Sequence, residues 1–264
     1  MSGRGALRPP SEIRQMFDRI ARRYDLMNRL MSFGRDVAWR RAAAQAALEV
    51  APSVILDVAT GTGDLALELA ARGACRVLAL DFSFEMLRLA ARKRAATRAQ
   101  RVALLCGDAM RLPLRDSSVD VCTIAFGLRN LPDYAAAIGE FARVLRPGGR
   151  LVILETTPAR GLLAPLLRLY FDGFVPWLGG LVSGDREAYR YLPRSTAAFP
   201  TPHELAALLR SSGFPAVRYR TFMLGTVALH IAERASSSPL REPTVAVQHT
   251  PCATAQGVPT FPLT

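Results

Sequence analysis

After Pro52 the chain settles into an alternation that few folds can accept. Short apolar runs, VILDVA, RVLAL, VALLC, VDVCTIAF and RLVILE, alternate with amphipathic stretches at Leu65 to Ala71, Phe84 to Arg94 and Tyr134 to Leu145. Runs that are apolar throughout suit strands buried on both faces. Strands separated by helices imply βαβ units and a parallel sheet with helices on both faces. Ahead of them, Ile13, Phe17, Ile20, Tyr24, Met27 and Leu30 recur three or four apart, which predicts a helical preface over residues 11 to 49, with Ser11 at its cap. Beyond Glu155 the rhythm breaks. Pro202 to Ser212 reads as a helix, and FPAVRYRTF and TVALHIAER read as strands joined at Leu224-Gly225, a link so short that they must pair antiparallel. The expected fold is α/β: a doubly wound, mostly parallel seven-stranded sheet closed by an antiparallel hairpin. We expect residues 1–10 to be flexible, 11–234 to form one domain with a lid-like stretch at 158–200, and 235–264, rich in Ser, Thr and Pro, to be disordered.

With 264 residues, half of them apolar, the chain can bury a sizeable core, which excludes disorder throughout. A net charge of +12 would ordinarily point to nucleic acid or an anionic surface, yet of the 34 basic residues only Lys93 is a lysine and no segment holds the excess. The densest patch, Arg88, Arg92, Lys93, Arg94, Arg98 and Arg101, reads as the solvated face of a helix. A nucleic-acid partner would need a concentrated basic surface with aromatics, and none is found. Cys75, Cys106, Cys122 and Cys252 form no CxxC pair and read as small buried residues of a reducing compartment. The start lacks the apolar core of a signal peptide, so a cytoplasmic location is expected. No spacing of His, Cys or carboxylates suggests a metal. Leu162 to Leu181 is long enough to cross a bilayer, but Arg168, Asp172, two prolines and three glycines favour a lid or surface segment. A homo-oligomer and a monomer are both left open.

The chemistry-bearing motifs lie where predicted strands end. DVATGTGD, Asp57 to Asp64, stands between the first strand and its helix, where glycines let backbone N–H groups approach a ligand. Gly61-x-Gly63-x-x-Ala66 also satisfies the dinucleotide pattern, and Asp81 ends the second strand, suited to ribose hydroxyls. Asp57 and Asp64 would repel a pyrophosphate and favour a ligand bearing an ammonium and a sulfonium, hence S-adenosylmethionine over NAD. An NAD-dependent oxidoreductase remains the rival reading of this loop. Asp108 and Ala109 follow the third strand, suited to holding an adenine, with an Asx turn as the alternative for Asp108. FGLRN, Phe126 to Asn130, leaves the fourth strand, and Arg129 there adds a fixed charge and five donors to what could have been a plain turn.

Together these motifs resemble a class I S-adenosylmethionine-dependent methyltransferase, and more narrowly the menaquinone and ubiquinone C-methyltransferase family, from about Met16 to Arg234. The likeness rests on MFDRIARRYDLMNRLMSFG, DVATGTGD, FGLRN, LRPGGRLVILE, SGDREAYRYLPRS and GTVALHIAER. The chain departs from many members at Asp36-Val37-Ala38-Trp39, where they have His-Arg before the tryptophan, and from some at Ala125, where they have Ser. The resemblance implies S-adenosylmethionine held by Asp57, Gly61, Thr62, Gly63, Asp81, Asp108 and Ala109. It implies methylation of a ring carbon in a demethylated isoprenoid quinol, demethylmenaquinol in preference to a ubiquinone precursor. Arg129 and Asn130 would face the ring, with Arg129 stabilising the developing phenolate, since it is always protonated, and Asn130 as a second donor. A water, or the phenol of Tyr24, would take the proton; packing is the alternative for Tyr24. His230 reads as structural. The isoprenoid tail suggests that Leu162 to Leu181 is a greasy cover that touches the bilayer, with Arg160 and Arg168 near headgroups and the enzyme peripheral at the inner face of the membrane. A core-packing insertion is the alternative.

Overall fold

The computed structural model describes residues 5–162 and 164–236. The strands fall on the predicted runs: β1 (Val54–Val58), β2 (Arg76–Asp81), β3 (Val102–Cys106), β4 (Val119–Ala125) and β5 (Leu145–Thr156) are parallel. The terminal hairpin is β6 (Ala216–Phe222) and β7 (Val227–Glu233). The sheet order is β3-β2-β1-β4-β5-β7-β6, with β7 antiparallel to both of its neighbours. This is the doubly wound sheet with a closing hairpin that the alternation implies.

Both faces of the sheet are covered. Leu56 and Val58 of β1, Ile124 of β4 and Ile153 of β5 pack against α5 (Tyr134–Val144) and α9 (Pro202–Ser211). Their alternating neighbours Ile55, Val121 and Val152 pack against α2 (Arg35–Leu48) and α3 (Asp64–Arg72). Burying each such side chain stabilises the fold by about 1.5–3 kcal/mol. A one-residue slip would exchange the two faces, so the register is strongly specified. In α2 the buried Ala43, Ala44, Ala46 and Ala47 let the helix lie close against the sheet. Beside α3, α4 (Phe84–Ala96) packs on β2 and β3, and its N-cap Ser83 accepts the Met86 N–H.

The chain runs from β1 outward to β3, then returns to lay β4 on the far side of β1. Strand order therefore reverses between β1 and β4, and the carboxyl ends of those strands open into a crevice, the usual ligand position in such sheets. A separate helical cap covers this end. It comprises α1 (Pro10–Met31) and the segment after β5: α6 (Ala164–Arg168), a π-helical stretch at Leu169–Phe174, α7 (Val175–Ser183) and α8 (Arg186–Ala198). Ile13, Met16, Ile20 and Met27 of α1 pack on Val175, Ala188, Tyr189 and Tyr191. Ahead of α1, the Ala6 N–H donates to Leu131 O at 2.8 Å, and Arg8 pairs with Glu187 at 2.7 Å. Among the described residues no helix is long and apolar enough to cross a membrane. Cys75 and Cys122 are buried as expected, but Cys106, at the open end of β3, is exposed. Cys252 and the tail from residue 237 lie outside the described residues.

Candidate active site

Two cavities adjoin beneath the cap. The smaller, about 90 Å³, is shaped by backbone at the ends of β1, β2 and β4. Ala59 and Phe126 leave β1 and β4 with φ of +50° and +58°, a left-handed conformation that costs roughly 1–2 kcal/mol in a residue with a side chain. Gly127 sits where these two turns meet, and a Cβ there would lie 2.6 Å from the Cβ of Ala59. Only glycine allows that approach. Asp81 closes β2 at the cavity wall; its two oxygens accept the Gly61 and Ser83 N–H groups, each at 2.8 Å. Burial nevertheless pushes its pKa up to about 6. Asp108 and Ala109 line the same cavity, and Asp108 also accepts the Met110 N–H at 2.9 Å, so the Asx turn is present together with the cavity position.

Asp57, Thr62 and Gly63 do not line either cavity. Asp57 is buried and accepts hydroxyls from Thr60 and, across to β4, from Thr123, both at 2.6 Å. Burial raises its pKa to about 6. Thr62 donates to Asp25 of α1 at 2.6 Å, and Gly63, with φ +85°, brings α3 so near α4 that a Cβ would lie 3.1 Å from that of Ala90. Asp64 pairs with Lys93 at 2.5 Å, and Lys93 pairs with Asp25 at 2.7 Å. Burial pushes the Asp64 pKa up, but the ammonium outweighs it and holds the carboxyl below its usual range. Asp57 and Asp64 line neither cavity, and their carboxylates are engaged by Thr60 and Thr123 and by Lys93. One expectation is corrected here: Lys93 belongs to a half-buried cluster that ties α1 to the glycine loop rather than to a solvated face. The acids at the smaller cavity are Asp81 and Asp108.

The larger cavity, about 260 Å³, lies under α1 and α8 and is mostly apolar, with Trp39, Phe126, Met16 and Leu192 among its walls. Arg129 enters it from the short 3-10 turn Leu128–Asn130. Its Nη1 donates to Glu155 Oε1 and to Phe126 O, both at 2.6 Å, and its backbone N–H donates to Glu155 Oε2 at 3.2 Å. Burial alone would lower its pKa; the fully buried Glu155 carboxylate more than reverses this. Nε has no partner among the described residues. The fork that the sequence reading left free for a substrate is thus partly committed to the protein. Asn130 faces the smaller cavity rather than this one, its Nδ2 donating to Phe126 O at 3.4 Å and its Oδ1 unpartnered among the described residues.

Tyr24, with Phe17 and Phe126, borders both cavities. Burial raises its pKa, against the pull of Arg129. Asp36 and Arg40, paired at 2.5 Å, also line the larger cavity, at the point where the chain departs from the family pattern. His230 lies in neither; its Nε2–H donates to Pro202 O at 2.9 Å and burial lowers its pKa, a structural position. Sequence reasoning missed Glu155, Asp36, Arg40, Tyr189 and Tyr191. For Glu155 a signal existed: it closes the apolar run LVIL as Asp57 and Asp81 close theirs.

A glycine-formed cradle, a strand-end carboxylate and an unpartnered Asn130 oxygen fit a nucleoside-bearing cofactor such as S-adenosylmethionine in the smaller cavity. The larger one fits an apolar ring whose oxygen meets a buried cation. Comparison with known proteins agrees. A model of the ubiE/COQ5 methyltransferase family matches residues 8–234. A Thermus thermophilus protein named demethylmenaquinone methyltransferase is 51% identical over 221 residues, covering 83% of this chain and 100% of that one. One of the same name from Deinococcus radiodurans is 47% identical, covering 84% and 92%. Among solved structures, a SAM-dependent methyltransferase from Thermotoga maritima matches with a TM-score of 0.60 at 20% identity, covering 83% of this chain and 98% of that one, a likeness of fold.

Proposed function

The chain belongs to the ubiE/COQ5 methyltransferase family, and on that premise we propose that it methylates a ring carbon of a demethylated isoprenoid quinol, demethylmenaquinol ahead of a ubiquinone precursor. Membership makes it an S-adenosylmethionine-dependent methyltransferase and removes the NAD-dependent alternative. The observation that carries the substrate reading is the adjacency of the two cavities: a cofactor-sized crevice and an apolar chamber with a buried arginine share the walls Phe17, Tyr24 and Phe126.

S-adenosylmethionine supplies an electrophilic methyl group on a sulfonium. We assign Asp81 to the ribose hydroxyls, Asp108 and Ala109 to the adenine, and Gly61 to close backbone approach. Asp57, Thr62 and Gly63 hold the loop in shape, and Asn130 serves the cofactor side. In the larger cavity the quinol carbon becomes nucleophilic as its neighbouring hydroxyl loses a proton, because charge spreads into the ring. Arg129, through Nε and its charge, stabilises that phenolate in a water-poor setting, the role of an oxyanion hole. Glu155 orients the guanidinium. Tyr24 acts as a donor, which leaves a water beside Arg129 as proton acceptor. In-line alignment and exclusion of water by the cap complete the contribution of the protein.

The cap also supports contact with a membrane. Leu166, Leu169, Trp177 and Leu181 are exposed on it, and Phe33, Tyr170, Phe174 and Trp177 form a chain of rings with centroids 5.4–5.8 Å apart. Arg160 is exposed nearby; the side chain of Arg168 lies outside the described part. On this reading the enzyme visits the inner face of the membrane, where an isoprenoid substrate resides. The test is direct. Purified enzyme with S-adenosylmethionine is offered short-chain demethylmenaquinol or a ubiquinone precursor under reducing conditions, with products read by mass spectrometry. We expect methylation of the first with kcat/KM roughly tenfold or more above the second; methylation of neither would sink the proposal.

A further inference from the structure

The roles assigned above leave two hydroxyls in the larger cavity unexplained. Tyr189 and Tyr191 of α8 are 3% and 4% exposed, both line the cavity, and neither phenol oxygen has a partner at hydrogen-bonding distance among the described residues, Ser183 being the polar side chain that bears on Tyr189. A buried O–H left without a partner costs about 1–3 kcal/mol. Phenylalanine would fill the same volume without that cost, so packing accounts for the rings and not for the oxygens.

The rings themselves are held firmly. A Cβ at Gly179 would lie 2.3 Å from the Tyr189 ring, so α7 carries glycine where that ring must lie. The Arg8 guanidinium sits 5.5 Å from the centroid of the Tyr191 ring while it pairs with Glu187. Burial raises the pKa of both phenols, so both are donors. Each has a neighbour already placed in the chemistry: the turn carrying Arg129 touches α8, where Tyr191 lies within reach of the Arg129 and Glu155 charges, and Tyr24 packs against the cluster that holds Tyr189. Donors thus gather at two stations, one with Arg129 and one with Tyr24. A 1,4-dihydroxy ring has two oxygens on opposite sides, which matches that division.

We propose that Tyr189 and Tyr191 donate hydrogen bonds to the two ring oxygens of the substrate, Tyr191 sharing one with Arg129 and Tyr189 taking the other beside Tyr24. Helix α8 then selects a ring with two para oxygens, by hydroxyls that gain their partners when the ring enters. The inference rests on the quinol reading and adds how the ring is distinguished from one bearing a single oxygen.

The test uses Tyr189→Phe and Tyr191→Phe, with KM and kcat measured on short-chain demethylmenaquinol and on a 1-naphthol analogue that lacks the second oxygen, and with thermal melts of the ligand-free proteins. Each variant should raise KM for the quinol roughly tenfold, the loss of one hydrogen bond. On the analogue Tyr189→Phe should be silent, while Tyr191→Phe keeps its effect. The melting temperature should hold or rise, because an unpartnered buried group has been removed. Wild-type turnover with unchanged quinol KM in both variants overturns the inference alone, as does a fall in melting temperature in both, which would mean the hydroxyls serve the fold. Wild-type enzyme that methylates neither compound removes the proposed function, and this inference with it.

Discussion

The two cavities share Tyr24 and Phe126 but are built by opposite means. The smaller is made of strand ends and turns: positive φ at Ala59, Gly61 and Phe126, a glycine at 127 that admits no side chain, and Asp81 with both oxygens already bonded to backbone. The larger is made of long side chains from α1, α2 and α8, and it holds unpartnered polar atoms at Arg129, Tyr189 and Tyr191. Backbone shape suits a ligand that every relative shares. Side chains carried on a helical cap can be exchanged without disturbing the sheet, which suits the ligand that distinguishes one relative from another.

The largest expected effect is at Arg129, where that separation is most at risk. Arg129→Ala should cost roughly 10²–10³ in turnover, as loss of an oxyanion donor does. It should also destabilise by about 3–5 kcal/mol, because Glu155 would be left buried without its cation. Adding Glu155→Gln should recover the melting temperature and leave turnover low; single-turnover kinetics beside thermal melts decide it. Recovery of both would make Arg129 purely structural.

Asp81→Ala should weaken S-adenosylmethionine binding by roughly 10–100-fold in titration calorimetry, with quinol KM unmoved. An equal shift in both constants would mean that the cavities are not independent.

Acid should do the same more gently. As pH falls through about 6 the Asp81 carboxyl protonates, so cofactor affinity should decline while quinol affinity stays level. Stability should move in the other direction. The folded pKa values of Asp57 and Asp81, about 6, lie above their ordinary value of 3.8, so the folded state binds the proton more tightly. Their stabilising contribution is complete below the ordinary value and is lost as pH rises through about 6. Asp57→Asn should flatten that part of the stability profile, which denaturant melts at several pH values will reveal.

The smallest effect is expected on the cap surface. Trp177→Ser with Leu181→Ser should reduce cosedimentation with anionic lipid vesicles several-fold while leaving kcat on a short-chain substrate and the melting temperature nearly unchanged, since both side chains are exposed. Unchanged vesicle binding would refute the membrane reading.

The sheet, its hairpin, the helical preface and the glycine loop could all be read from the chain, because each is a local pattern. Apolar runs such as VILDVA admit few other fates, and Asp81 announced itself by ending one of them. The site was legible only in part. Glu155 carries the same strand-end signature but acquires meaning from Arg129, 26 positions earlier, whose guanidinium donates to it from the turn that leaves β4 through the left-handed Phe126.

DVATGTGD and the strand after it contain three acids that look alike in sequence, and their fates divide what the chain determines from what folding decides. Periodicity and composition place all three near the ends of β1 and β2, because those depend on which residues avoid water. They do not say that Asp57 meets Thr123 of β4, that Asp64 meets Lys93 of α4, or that Asp81 alone reaches the cavity. Nor do they say that two tyrosines in AYRYLP bury their hydroxyls without partners among the described residues. A charge or a hydroxyl acquires its role from what lies within a few ångströms, and those neighbours come from distant parts of the chain, brought together only when the sheet is wound and the cap is laid over it.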